Sequence, residues 1–268
     1  MTPFPRLRVR GFLQRWGKLH PVDGVYASLY LNKENAVRHL GFVPARGGSK
    51  RLPGKNHMTL GGRTIVQRAV DSALASGNFE HVVLSTDDPE IIASMPSDER
   101  ILIDDRPEHL ASDTATVLQA VLELMERWRR YGRIYDTITI LLPTCPFRKP
   151  EHLNQGFELL DNNVDSVISV TEYDFPWEMA LDLDANRGLY PSIEPSPLIT
   201  GNTRSQDRRR VYHPNGAFYI GRWDVVERDR NFFKGELRGV PMDAYNSADI
   251  DDPIDFKFAE LLLKEGVV

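Results

Sequence analysis

The chain has 268 residues, 41% hydrophobic and 26% charged, with a formal net charge of −5. That balance fits a globular domain with a sizeable core, and the negative charge argues against a protein devoted to the nucleic-acid backbone. The one cysteine, Cys145, excludes an intramolecular disulfide and any cysteine-rich metal site, which fits a reducing, cytoplasmic setting. No apolar run approaches the roughly 18 residues of a membrane span, so no membrane partner is expected.

The first 22 residues carry Arg6, Arg8, Arg10, Arg15 and Lys18 and no acid. They lack the serines of a transit peptide, so residues 1–38 are read as an N-terminal extension. The functional argument starts at His39, and residues 39–268 are read as one domain.

From there short apolar runs alternate with helical patterns. HLGFVPA predicts a buried strand that ends in a glycine-rich loop. TIVQRAVDSALAS follows, with Ile65, Val66, Ala69, Val70, Ala73 and Leu74 on one helical face. HVVLST predicts a strand, PEIIASM a short helix and ILIDD another strand. Asp113 is the expected N-cap of a long helix over 114–131, with Val117, Leu118, Val121, Leu122, Met125 and Trp128 as its apolar stripe. TITILL predicts a central strand buried on both faces, followed by a helix over 151–160 and the strand DSVISVT. Residues 173–210 break the rhythm with four prolines, Trp177 and Arg208-Arg209-Arg210, and are read as an inserted excursion. GAFYIG, a helix near 223–228 and a last helix over 254–264 complete the pattern. Strands alternating with helices predict an α/β fold: a mostly parallel twisted sheet with helices on both faces and ligands beyond the carboxyl ends of its strands.

PARGGSKRLPGKN, residues 44–56, leaves the first strand with three glycines and a cluster of cations. It is not a P-loop: Ser49 stands where the first glycine belongs and Asn56 where a hydroxyl residue belongs. A glycine-rich turn still lets backbone N–H groups approach phosphate, with Arg46 before the glycines and Lys50, Arg51 and Lys55 within or after them.

This loop resembles the nucleotide-binding signature of the CMP-sialate synthetase (acylneuraminate cytidylyltransferase) family. VVLSTDDPEI, DRPEHLASDTAT, LLPTCPFR, TRSQD, HPNGAFYI and ADIDDPIDFKFAELLL are similar to further family motifs in the same order. Together they span roughly residues 42–262. The resemblance implies a Rossmann-like fold and a transfer of CMP from CTP to a 2-keto sugar acid, with release of pyrophosphate. It implies that Arg46, Gly47, Gly48, Ser49, Lys50 and Lys55 hold the phosphates, and that Asn56, Arg106 and Ala115 meet the cytidine. Arg204, Gln206, Phe218 and Tyr219 fall at sugar-binding positions, although an aromatic in an alternating strand is usually core. The excursion corresponds to a dimerisation segment, so a homodimer is expected.

In ADIDD, residues 248–252, Asp249 and Asp251 share one face of an extended segment and form a hard oxygen pair suited to Mg²⁺. Asp252, before Pro253, suits an N-cap instead. One departure stands out: the family loop LLQPTSPLR reads LLPTCPFR here, so Leu142 replaces a glutamine thought to contact the sugar. The expected catalytic set is Arg46, Lys55, Asp249 and Asp251. The rival readings are a 3-deoxy-manno-octulosonate cytidylyltransferase, a non-catalytic nucleotide-binding relative, and a glycosyltransferase with a DxD metal motif, disfavoured because that motif usually follows a mid-chain strand.

Overall fold

Eleven strands are visible in the computed structural model, which describes residues 37–268 apart from Lys50, Asp113 and 205–208. They are β1 His39–Pro44, β2 Thr59–Leu60, β3 Arg63–Thr64, β4 His81–Thr86, β5 Ile101–Asp105, β6 Thr137–Ile140, β7 Ser166–Glu172, β8 Leu181–Leu183, β9 Leu189–Pro191, β10 Tyr212–Arg222 and β11 Leu237–Pro241. Seven form one sheet in the order β11-β7-β10-β6-β1-β4-β5, and β2–β3 and β8–β9 pair separately. Only β10 runs antiparallel to its neighbours within the large sheet.

Side-chain alternation explains why both faces are covered. Val43, Val82 and Leu84 point into one core with the helices Ile65–Ser76, Pro150–Glu158 and Pro253–Lys264. Leu40, Phe42, Val83 and Leu102 point into the other, under the helices Val117–Arg130 and Trp223–Asp229. Ile65, Val66, Ala69, Val70 and Ala73 are buried as their spacing predicts, and Leu74 is partly covered. Thr64 and Gln67 close a capping box on that helix.

The long helix departs from its expected start. It begins at Val117, because Thr116 and Gln119 form a reciprocal capping box at 3.1 and 2.7 Å. Asp113, expected to cap it, lies outside the described residues. Asp252 does cap the last helix, accepting from the amides of Ile254 and Asp255.

β10 is longer than GAFYIG suggested, and its register on β7 shifts between Pro214 and Tyr219. β11, unforeseen, adds in parallel to β7. The excursion contains the β8–β9 hairpin and a single helical turn, Pro197–Thr200. Because β10 is reversed, its first residues lie at the same edge as the carboxyl ends of the parallel strands. The loops 45–56, 87–88, 106–116, 141–149 and 242–252 therefore gather at that edge.

Candidate active site

The glycine loop is fixed by groups far away in sequence. Asn56 Nδ2 donates to the Arg46 carbonyl at 2.8 Å, tying the two ends of the loop together. Arg46 Nη1 donates to the Ser112 carbonyl at 2.6 Å, and the Gly47 amide donates to Asp87 Oδ1 at 2.8 Å. Behind it, His57 Nε2 meets Asp88 Oδ2 at 2.7 Å. Burial alone would raise the Asp88 pKa, but the His57 hydrogen bond and the amides of Glu90 and Ile91 outweigh it and hold the carboxyl low. Gly54, at φ 68°, turns the chain so that Lys55 points inward.

Lys55 Nζ reaches the Ile250 carbonyl at 3.0 Å and Asp251 Oδ1 at 3.2 Å. Arg51, which the resemblance did not assign, pairs with Asp251 Oδ2 at 2.5 Å. Two loop cations thus rest on the acidic segment near the carboxyl terminus. That segment is itself pinned, with the Ile250 amide donating to the Thr144 carbonyl at 2.9 Å.

Asp249 is open to solvent at the rim, yet the protein packed behind its carboxylate pushes its pKa up. The Asp251 charge adds to this, while a Thr144 hydrogen bond and Lys55 oppose it. Two neighbouring carboxylates in such a niche suit a hard cation that brings water and phosphate oxygens as its other ligands, as Mg²⁺ does. Among the described residues no group of three or more His, Cys, Asp or Glu could hold a metal, so a protein-caged ion does not fit.

Arg106, the residue before a turn proline, is buried. It is 7% exposed, donating from Nε to Ser85 Oγ at 3.1 Å and from Nη2 to the Ser85 carbonyl at 3.0 Å. Ser85 in turn donates to Asp104 at 2.7 Å, and Asp104 pairs with Arg127 at 2.8 Å. Desolvation lowers the Arg106 pKa. Ala115 is half-buried, with its amide on the Ser112 carbonyl at 3.3 Å, the carbonyl that also accepts from Arg46.

The sugar-side candidates divide. Tyr219 is half-buried, and burial together with the nearby Cys145 and Asp249 raises its pKa. Leu142 and Val170, also partly buried, pack against the same core. Phe218 is corrected to a core residue: the strand turns it to the opposite face, fully buried, where it packs over Gly156 of the helix Pro150–Glu158. Arg204 stands exposed, and no described contact joins it to Tyr219, Asp249 or Asp251. Lys50 and Gln206 lie outside the described residues. Gly48 and Ser49 line the loop without a described side-chain bond.

An open α/β sheet with a cation-rich glycine loop facing a carboxylate pair defines a nucleotide-transferring class of protein. The cytidylyltransferase family model matches residues 40–219. A pseudaminic acid cytidylyltransferase of Campylobacter jejuni is 31% identical over 85% of this chain and 97% of its own length. The CMP-N,N'-diacetyllegionaminic acid synthase of Legionella pneumophila is 30% identical with the same coverage. An Escherichia coli N-acylneuraminate cytidylyltransferase is 29% identical over 82% of this chain, which spans about half (51%) of that relative. The chain belongs to the cytidylyltransferase family, in its nonulosonate branch. Among solved structures, a CMP:2-keto-3-deoxy-manno-octonic acid synthetase complexed with CTP superposes with a TM-score of 0.61 at 17% identity, covering 85% of this chain and 99% of that one. A 4-diphosphocytidyl-2C-methyl-D-erythritol synthase from Anaerococcus prevotii gives 0.62 at 16%, covering 85% and 96%. At such identities the likeness shows the fold alone.

Proposed function

We propose that the site at this sheet edge joins CMP from CTP to a nine-carbon 2-keto sugar acid and releases pyrophosphate. The observation that carries the reading is the meeting of Lys55 and Arg51 with Asp251 across some 200 residues of sequence, which sets triphosphate-binding cations against a carboxylate pair. In-line transfer to phosphorus depends on positioning and charge neutralisation more than on covalent help from the protein.

In this scheme Arg46 and Lys55 hold the departing pyrophosphate, with Gly47, Gly48 and Ser49 offering the loop backbone and Lys50 a further cation. Arg106, braced by Ser85, and the backbone at Ala115 face the cytosine. Asn56 acts mainly by joining the loop's two ends. Asp249 and Asp251 would hold Mg²⁺, which when bound would draw charge from the α-phosphate. The chain's own part is to present the two carboxylates to the metal and to deliver the sugar hydroxyl in line.

The sugar side is read as apolar, with Leu142, Val170 and Tyr219 each partly buried against the same core. A hydroxylated tail finds no partner on Leu142, whereas methyl and acylamido groups pack there. This favours terminally deoxygenated acids such as pseudaminate and legionaminate over N-acetylneuraminate, in line with the names of the relatives matched along 97% of their length. Leu181, Leu183, Leu189, Tyr190 and Ile199 leave the excursion with exposed apolar side chains, as a homodimer interface would need, and in such a dimer the exposed Arg204 would meet the partner's sugar carboxylate. A single cysteine and CTP as substrate suit the cytoplasm; no described helix is long and apolar enough to cross a membrane.

The test is Asp251→Ala. The variant should fold, bind CTP and lose pyrophosphate release. An active Asp251→Ala protein would overturn the role given to the carboxylate pair.

A further inference from the structure

Arg148 ends the loop LLPTCPFR and is 4% exposed. Among the described residues its contacts include no carboxylate: Nε donates to Ser72 Oγ at 3.2 Å, Nη1 to the carbonyls of Ala217 and Leu142, the latter at 3.4 Å, and Nη2 to the Ala69 carbonyl at 3.5 Å. Burial draws its pKa down to about 10, so it stays charged at neutral pH. A buried cation held only by carbonyl and hydroxyl dipoles is costly, and an apolar side chain of similar length would fill the same volume. The guanidinium must supply something that apolar packing cannot.

What it supplies is a bridge between three segments. Ser72 and Ala69 belong to the helix Ile65–Ser76, Leu142 lies in the loop just after β6, and Ala217 sits inside the irregular stretch of β10. There the ladder to β7 is interrupted between Pro214 and Tyr219, so the strand's polar groups are held by side chains. Asn215 Oδ1 accepts from the Ala217 amide at 3.1 Å, Ser169 Oγ bonds both the amide and the carbonyl of Phe218, and Arg148 takes the Ala217 carbonyl. Gly216, at φ 79°, completes the stretch. A Cβ at that position would sit 3.2 Å from both Leu142 Cδ1 and Cys145 Sγ.

We infer that Arg148 is a positioning residue: by clamping the β10 bulge against Leu142 it fixes the sugar-side wall, and so governs sugar-acid affinity without touching the nucleotide. The inference rests on the reading of that wall as the sugar side. Arg148→Lys keeps the charge, but one ammonium cannot span the acceptors served by the planar fork.

The sugar-acid KM should rise about tenfold in Arg148→Lys, equivalent to losing one or two hydrogen bonds, while the CTP dissociation constant stays within about twofold. Amide exchange should accelerate at 215–219 and stay unchanged at 45–56. Ser72→Ala, which removes only the helix-side bond, should raise the sugar-acid KM about threefold and carries the test if Arg148→Lys fails to fold. Parallel loss of CTP and sugar affinity, or an unaltered sugar-acid KM in a folded variant, would overturn the inference. Failure of the sugar reading itself would show separately, as absent turnover in the unsubstituted protein. In that case the exchange pattern still decides whether Arg148 holds the bulge.

Discussion

Replacing Leu142 with glutamine should exchange one sugar preference for another, and the structure sets the size of the effect. The Leu142 carbonyl is held by the Cys145 amide at 3.3 Å and by Arg148 at 3.4 Å, so the backbone stays in place when the side chain changes. Leu142 is half-buried, so losing its apolar contact costs stability about 1 kcal/mol, roughly half the value of a fully buried leucine. At the substrate, a lost methyl contact weakens a deoxygenated acid by about 0.8 kcal/mol. A new hydrogen bond to a tail hydroxyl strengthens a hydroxylated acid by about 0.5–1.5 kcal/mol. Together these move the ratio of kcat/KM for N-acetylneuraminate over pseudaminate by roughly 10- to 50-fold, at 1.4 kcal/mol per decade. Pyrophosphate release with each acid in turn measures that ratio. A ratio within twofold of the unsubstituted protein, in a folded variant, would refute the argument that Leu142 faces the sugar.

Cys145 is fully enclosed, and burial next to Asp249 raises its thiol pKa well above the usual range; iodoacetamide at pH 8 should leave native protein unlabelled and label it once unfolded. Phe218→Ala should cost about 3–5 kcal/mol through the cavity it leaves and lower Tm by roughly 10 °C or more. Loss of sugar affinity at an unchanged Tm would instead return Phe218 to the pocket. Asp88 has a lowered folded pKa, so its stabilising contribution is present above the ordinary carboxylate pKa and fades as pH falls below it. Asp88→Asn should therefore flatten the acid limb of the stability curve below about pH 4, measured by urea midpoints across pH, and an unchanged limb would contradict the role of the His57–Asp88 pair.

Much of the fold was legible because its signals are local. Alternating buried runs marked β1, β4, β5 and β6, and the order of motifs located the carboxyl edge of the sheet. β11 was missed because LRGVP buries only Val240 and shows neither alternation nor turn chemistry. The start of the long helix was misjudged because Asp113 competed with Thr116, and the capping box decided for Thr116. Parts of the site were hidden for a different reason. The Arg51–Asp251 pair, the burial of Arg106 on Ser85 and the Arg148 bridge all join residues far apart in sequence, and no spacing rule reports such contacts. Phe218 and Tyr219 show the limit of a family motif. Both fall within it, yet strand alternation sends one to the core and leaves the other beside Asp249.

The central claim is that this site couples CTP to a nonulosonate. Incubating the protein with CTP, Mg²⁺ and a panel of sugar acids, and following pyrophosphate, tests it most directly. The account predicts release with nine-carbon acids, fastest with pseudaminate or legionaminate and slower with N-acetylneuraminate. Release with 3-deoxy-manno-octulosonate alone, or with no acid despite measurable CTP binding, would contradict it.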